Sequence, residues 1–263
     1  MKKAMKVTAV ITGLVAIGMF VGCGDDSSQS TGLVAKGLVS GAKVKYKTSA
    51  GTFTSYSARS ASLTAVIPYN GLEVASTEGK YTDMNGTTRN APDLATPAGF
   101  KNVTPLTTLY NSATATEKTA LQTLLGTLSM DTVVTGTITS SNLIVSRLNE
   151  VVGEVLTQFK DRGYTVSLSA LATAVAASSS ADLTSTTSAT LTTLATTLVS
   201  AAGSSLTTDQ KRIIITQTVA IANKTIVSAT VPTSAPATTA TATSSTSISG
   251  STGGASTGTG VNQ

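Results

Sequence analysis

The spacing of apolar residues changes close to Pro105, and this change limits the folds that the chain can adopt. Before Pro105, short runs rich in β-branched residues are separated by Gly, Asn and Pro, a pattern typical of strands. After it, apolar residues recur at intervals of three, four and seven, which predicts amphipathic helices. We therefore predict an α+β chain with a small antiparallel β-sandwich followed by a bundle-like helical domain.

The strand prediction rests on alternation and on turn residues. Val44 and Tyr46 alternate with three lysines, so one face of this strand is predicted to be buried and the other charged. Two further strands are predicted over residues 63–67 and 79–82, and a turn over 84–86. Several short strands at this spacing favour an antiparallel sandwich.

The helix prediction rests on five amphipathic runs. They cover residues 116–128, 143–163, 168–175, 191–198 and 215–226. Many threonines occupy the polar faces of these runs, and β-branching lowers intrinsic helix propensity. Tertiary packing must therefore supply the stability, and a loosely packed bundle is expected.

The N-terminus has the layout of an export signal. Lys2, Lys3 and Lys6 precede an uncharged, mostly apolar run over residues 7–21, as in a signal peptide. At about 15 residues the run is shorter than the roughly 20 that cross a bilayer as a helix. Residues 1–22 are therefore predicted to be a leader that is removed on export, rather than a permanent membrane helix.

The only cysteine of the chain, Cys23, directly follows Phe20-Val21-Gly22. This end of the apolar run resembles the lipobox of bacterial lipoproteins, although Phe20 replaces the usual Leu-like residue. The resemblance implies cleavage before Cys23 and acylation of that residue. Two or three acyl chains make a lasting membrane anchor, and Gly24, instead of Asp, after the cysteine favours the outer membrane. A buried free thiol is the alternative for Cys23.

A second resemblance covers residues 33–109. The runs GLVSGAKVKY, GKYTDMNGT and DLATPAGFKNVTPLTTL are similar to a prealbumin- or Ig-like β-sandwich module of large bacterial surface and adhesin-like proteins. The segment TSYSARSASLTAVIPYN, residues 54–70, departs from the hairpin usual in that family. The resemblance implies an envelope scaffold, stalk or binding unit, with no catalytic residues to carry over.

These patterns divide the chain into five segments. The predicted segments are a signal peptide over 1–22, a flexible tether over 23–32, a β-sandwich module over 33–104, a helical domain over 105–228 and a tail over 229–263. In the tail, 17 of 35 residues are Ser or Thr, so it cannot bury enough apolar surface to offset the entropic cost of ordering. It is predicted to be disordered, either as a solvated tail or as an O-glycosylated stalk.

Net charge gives no support for a nucleic-acid partner. The formal charge is +5, from 18 basic and 13 acidic residues. Removal of the three leader lysines lowers it to +2. The sequence also lacks the clustered basic stripe with interleaved aromatic residues that nucleic-acid binding requires.

The residue inventory excludes several catalytic classes. The chain has no His and no second Cys, which excludes Ser-His-Asp and Cys-His catalysis and Cys/His zinc sites. Glu150 and Glu154 stand one helical turn apart and could serve glycoside hydrolysis. The valines between them mark the opposite side of the helix as buried, so we expect both glutamates on a solvent-exposed face. Asp83 begins a calcium-loop-like spacing without its closing Glu, and a turn is expected there.

The sequence therefore predicts an outer-membrane lipoprotein that acts as a non-enzymatic structural or interaction component, with Cys23 as its lipidation site. No catalytic residue, cofactor or metal site is predicted. The expected partners are the membrane and envelope proteins or polysaccharide; the oligomeric state stays open. The main alternative is polysaccharide binding through Tyr56, Tyr69 and Tyr81, and an enzyme ranks third. As surface sites, Glu150, Glu154, Asp161 and Asp182 should each tolerate Ala at a cost of no more than ~0.5 kcal/mol.

Overall fold

A computed structural model describes residues 31–47, 51–56, 66–68, 71–232 and 236. Within them the chain forms ten short strands and seven helices. The strands are β1 Thr31–Leu33, β2 Lys43–Lys47, β3 Phe53–Tyr56, β4 Val66–Pro68, β5 Val74–Thr77, β6 Lys80–Thr82, β7 Thr88–Asn90, β8 Leu94–Thr96, β9 Gly136–Thr137 and β10 Thr230–Val231. The helices are α1 Pro105–Ser112, α2 Ala115–Leu125, α3 Leu143–Asp161, α4 Leu168–Ala176, α5 Ser180–Thr184, α6 Ser188–Ala202 and α7 Thr208–Ala222.

The largest sheet has four antiparallel strands in the order β3-β2-β5-β8. The alternation predicted for β2 is present in its first three residues, where Val44 is buried and Lys43 and Lys45 are exposed, whereas Tyr46 and Lys47 are both half-buried. The other strands form three antiparallel pairs, β1 with β4, β6 with β7 and β9 with β10. A mixed architecture with most strands before the helices is therefore shown, whereas the finer prediction of a sandwich stays a prediction.

All five predicted helices are present, and two shorter ones, α1 and α5, were not predicted. Helix α1 begins with Pro105 at its first turn, after Thr104 caps it through a reciprocal hydrogen-bonded box. Ser179 and Asp182 form the same arrangement at the start of α5. Such caps satisfy the free amide groups at a helix start, so both starts carried a local signal in the sequence.

One hydrophobic core includes side chains from the strands and from the helices. Val44 and Leu94 contribute from the sheet, and Leu106, Leu148 and Leu198 contribute from the helices. The domain boundary predicted at 104/105 stays a prediction. The layers nevertheless share one apolar interior.

The C-terminal boundary differs from the prediction. Residues 229–231 fall within the predicted disordered tail, but Thr230 and Val231 pair with β9, and the Ala229 carbonyl accepts from the amide of Ile138 at 2.7 Å. Further on, the Ser40 hydroxyl donates to the carbonyl of Pro236 at 2.7 Å. The rest of the tail, the signal peptide and the tether up to residue 30 lie outside the described residues.

The β6–β7 hairpin is held in place by a close approach of backbones. Gly79, just before β6, has φ +87°, and a Cβ there would lie 2.7 Å from Val39 Cγ1 and 2.9 Å from the Ser40 carbonyl oxygen. Ser40 and Lys80 exchange two backbone hydrogen bonds at 2.8 and 2.9 Å. Gly79 is therefore required twice, for its left-handed conformation and for its lack of a side chain.

Candidate functional site

Helix α3 carries the acidic side chains of the candidate site. Glu150, Glu154 and Asp161 lie at positions i, i+4 and i+11 and therefore share one side of the helix. Val151, Val152 and Val155 are buried in the core, yet Glu150 is only 9% exposed and Glu154 is 0% exposed. Both sides of α3 are thus covered. The charged side needs partners, because an unpaired buried carboxylate is very costly.

Lys36 supplies the first cation. Its Nζ lies 2.6 Å from Glu150 Oε1 and 3.8 Å from Glu154 Oε2, and its side chain is 1% exposed. The ammonium also stands 4.6 Å from the centre of the Tyr81 ring, within cation–π distance. Gly153 makes this packing possible, since a Cβ there would lie 2.6 Å from Lys36 Cε.

Arg89, in β7, supplies the second cation. Its Nη1 donates to Glu154 Oε1 at 2.6 Å and its Nη2 to Asp161 Oδ2 at 3.3 Å. Gln158 also donates to Glu154 Oε1, and the Tyr81 hydroxyl donates to Glu154 Oε2 at 3.3 Å. We call Lys36, Tyr81, Arg89, Glu150, Glu154 and Asp161 the ion-pair cluster. Its members join the β6–β7 hairpin and the segment before β2 to α3.

The electrostatics of the cluster keep its cations charged. Burial alone lowers the pKa of Lys36, but Glu150, Tyr81 and Glu154 together outweigh this effect and raise the pKa above its ordinary range. Burial also lowers the pKa of Arg89, but Glu154, Tyr81 and Asp161 together outweigh burial, so the pKa is raised. Burial raises the pKa of Tyr81 from 10.0 to about 12, so its phenol stays a hydrogen-bond donor even above pH 10.

Arg147, three residues before Glu150 on α3, is a further buried cation that lies outside the ion-pair cluster. It is 0% exposed, and its guanidinium donates to the carbonyls of Leu183, Ser185 and Thr225, each at 2.6 Å. Leu183 and Ser185 belong to the end of α5, where unpaired carbonyls and the helix dipole favour a cation. Burial lowers the pKa of Arg147. This side chain therefore joins α3 to the backbones of two other segments, the end of α5 and the chain at Thr225.

The space beside the cluster is small. A cavity of about 40 Å³ adjoins Glu150 and is also lined by Ala35, Met84, Ile138 and Thr225. This volume holds one or a few water molecules. An open groove between α2 and α4 is lined by Thr, Ala, Ser and Leu side chains. No group of three or more metal-ligating side chains occurs among the described residues.

The predicted solvent-exposed face at Glu150 and Glu154 is wrong, because Lys36 and Arg89 cover it. Tyr81 is also not the exposed aromatic residue that was expected, since it is 0% exposed inside the cluster. Only the backbone of Tyr56 is described, in β3, and Tyr69 and Cys23 lie outside the described residues.

The environments of Asp83, Asp161 and Asp182 agree better with the sequence predictions. The turn expected at Asp83 is confirmed, since its Oδ1 accepts from the amides of Asn85 and Thr87, both at 2.9 Å. Asp161 is exposed at the end of the cluster, and Asp182 caps α5. Their roles are thus an ion pair and a helix cap.

Sequence reasoning missed the cluster because its partners are far apart in the chain. Lys36 and Glu150 are separated by 114 residues, and Arg89 and Glu154 by 65. One local signal was present, because the run NEVVGEVL places apolar residues and Gly153 around much of the helix. A helix that is apolar over more than one face is usually buried on several sides.

Comparisons of the chain with protein-family models, curated proteins and solved structures found no significant match. The two resemblances inferred from the sequence therefore stay predictions.

Proposed function

We propose that the chain is an outer-membrane lipoprotein anchored through acyl chains on Cys23, and that its folded part is a non-enzymatic structural or interaction component of the envelope. The anchor proposal rests on one observation, the placement of the only cysteine directly after a leader-like apolar run. Within the described residues, no helix has both the length and the apolar character needed to cross a bilayer.

The structural role is supported by the way the buried charges are used. Glu150 and Glu154, the pair considered for glycoside hydrolysis, are neutralised by Lys36 and Arg89 and face the protein interior. A catalytic carboxylate must contact its substrate, and the cavity beside Glu150 has only about 40 Å³. These contacts therefore favour a structural role, in which the two carboxylates hold the β6–β7 hairpin on α3.

The finer architecture belongs to the same proposal. We infer a sandwich-like module over residues 33–104, with the four-stranded sheet as one layer, and a bundle-like domain over 105–228. The antiparallel order β3-β2-β5-β8 supports the first part, and the packing of α3 with α7, and of α6 with both α4 and α7, supports the second.

The anchor is tested by labelling cells with a fatty-acid analogue. The wild-type chain should incorporate the label and fractionate with the outer membrane, whereas Cys23→Ser should lose the label and accumulate as uncleaved precursor. Ser27→Ala is the matched control, because it changes a nearby polar residue after the cleavage site and should leave labelling unchanged. Normal labelling of Cys23→Ser would refute the lipoprotein proposal.

The structural role is tested in a deletion strain. Chemical cross-linking of whole envelopes, followed by purification of the tagged chain, should recover the same partners with wild-type protein and with the Asp161→Asn variant. If a carboxylate variant is stable and correctly localised yet as defective as the deletion, the chain carries a chemical site and the non-enzymatic proposal is wrong.

A further inference from the structure

The tip of the β6–β7 hairpin carries an Asn-x-Thr sequence at Asn85, Gly86 and Thr87. Such a triplet is the acceptor sequence for asparagine-linked glycosylation when the middle residue is not proline. The chain contains two more triplets of this kind, which begin at Asn102 and Asn223. The three sites can therefore be compared within one molecule.

The structure separates the three triplets by exposure. Asn85, Gly86 and Thr87 are all exposed. Asn102 is 9% exposed, its amide donates to the Asp131 carbonyl at 2.8 Å, and Thr104 of the same triplet is 1% exposed. In the third triplet, Thr225 is 1% exposed. The acceptor sequence comprises both the Asn amide and the Ser/Thr hydroxyl, and only the hairpin tip exposes both groups in the folded protein.

The turn at the tip presents the acceptor in one conformation. Asp83 accepts from the backbone amides of Asn85 and Thr87, both at 2.9 Å, and its carbonyl accepts from Gly86 at 2.9 Å. These bonds form an Asx-type turn, which leaves both acceptor side chains on the outside.

The base of the hairpin is fixed independently of its tip. Tyr81 and Arg89 hold the two strands against α3 through Glu154. A bulky group on Asn85 would therefore extend into solvent without displacing the ion-pair cluster.

From this geometry we propose that Asn85 is glycosylated in the cell envelope. The donor would be an oligosaccharide linked to a polyprenyl diphosphate. The Asn85 Nδ2 forms a bond to the anomeric carbon of the first sugar, the bond from that carbon to the diphosphate oxygen breaks, and the amide loses one proton. The polyprenyl diphosphate leaves with the electron pair of the broken bond. The proposal rests on the export proposed above, because this acceptor sequence is modified in secreted proteins.

The test uses the full chain, expressed in a bacterium that has a periplasmic oligosaccharyltransferase and its lipid-linked oligosaccharide. Peptide mass spectrometry of the purified protein should find the oligosaccharide on Asn85 and on neither Asn102 nor Asn223. Asn85→Gln and Thr87→Val should lose the modification completely, since each removes one of the two required groups. Thr88→Val and Asn223→Gln are the matched controls and should keep it.

Three outcomes would overturn the proposal. They are an unmodified Asn85 in exported protein, a glycan that persists in Thr87→Val, and a glycan on Asn102 or Asn223 of the folded chain. Circular dichroism of each variant checks that it has folded. Fatty-acid labelling of the same samples separates the two proposals, because an acylated chain with unmodified Asn85 refutes only the glycosylation, and an exported, glycosylated chain without label refutes only the anchor.

Discussion

Replacement of Glu154 by Ala tests the ion-pair cluster most directly. Glu154 is 0% exposed and accepts hydrogen bonds from Arg89, Gln158 and Tyr81. Removal of one partner from a buried ion pair typically costs about 3–5 kcal/mol. Arg89 keeps Asp161 at 3.3 Å and is 17% exposed, so it regains some hydration. The expected loss is therefore near the lower limit, about 3 kcal/mol of unfolding free energy.

The measurement is urea denaturation of the purified folded part of the chain. The loss of unfolding free energy is taken from the shift of the midpoint urea concentration, at an unchanged m-value. Glu78→Ala is the matched control, because Glu78 pairs with Lys43 at 2.5 Å while both side chains are about half exposed. Exposed pairs of this kind contribute about 0.2–1 kcal/mol, so the control should change little. Glu154→Gln should fall between the two, since it keeps the shape and an acceptor oxygen but loses the charge.

A double-mutant cycle with Arg89→Ala isolates the pairwise interaction. We expect a coupling energy of about 1–3 kcal/mol between Arg89 and Glu154, as for contacting residues in one network. If Glu154→Ala costs no more than Glu78→Ala and the coupling is near zero, the cluster does not hold the hairpin on α3, and the reasoning about its role is refuted.

Three further predictions concern the surroundings of the cluster. Gly153→Ala should lower the free energy of unfolding by about 1–3 kcal/mol in urea denaturation. The new Cβ would lie 2.6 Å from Lys36 Cε and 2.9 Å from Pro105 Cγ, and this overpacking exceeds the gain of about 1 kcal/mol in helix propensity. Equal or higher stability would contradict this packing. Arg147→Lys should lower the free energy of unfolding by about 2 kcal/mol or more, because an ammonium lacks the planar guanidinium fork that donates to three carbonyls. An unchanged melting temperature would contradict this role. The free energy of unfolding should fall by about 3 kcal/mol as pH rises from 10 to 12. The pKa of the Tyr81 phenol is raised from 10.0 to about 12 in the folded protein, so the unfolded chain releases this proton in that window while the folded protein still holds it. Tyr81→Phe should show a smaller loss over the same window.

The predictability of the fold depended on how local each signal was. The β2 strand and the five longer helices follow from alternation or periodicity within one segment, and the structure contains all of them. Helix α1 is not predicted from the sequence, because TPLTTL resembles the closing part of a sandwich motif. Its cap at Thr104 and its first-turn Pro105 were nevertheless readable as a helix start.

The candidate site was not predictable by the same means. The valines of α3 show which side of the helix is apolar, but they do not show whether the polar side is covered. That depends on Lys36 and Arg89, which lie in other segments and are brought to α3 by tertiary structure. A single sequence contains no local measure of this pairing.

The wide separation of the partners in the cluster has a consequence for how the chain folds. Lys36 and Arg89 are synthesised well before Glu150 and Glu154, so the β-rich part first exists without the acidic groups that neutralise it. Its hairpin can dock only after α3 has appeared. Contacts between distant residues slow folding, because the loops between them must first be closed. Folding of the β-rich part should therefore wait for the first half of the helical segment, and a chain truncated before α3 should expose its hairpin to proteases.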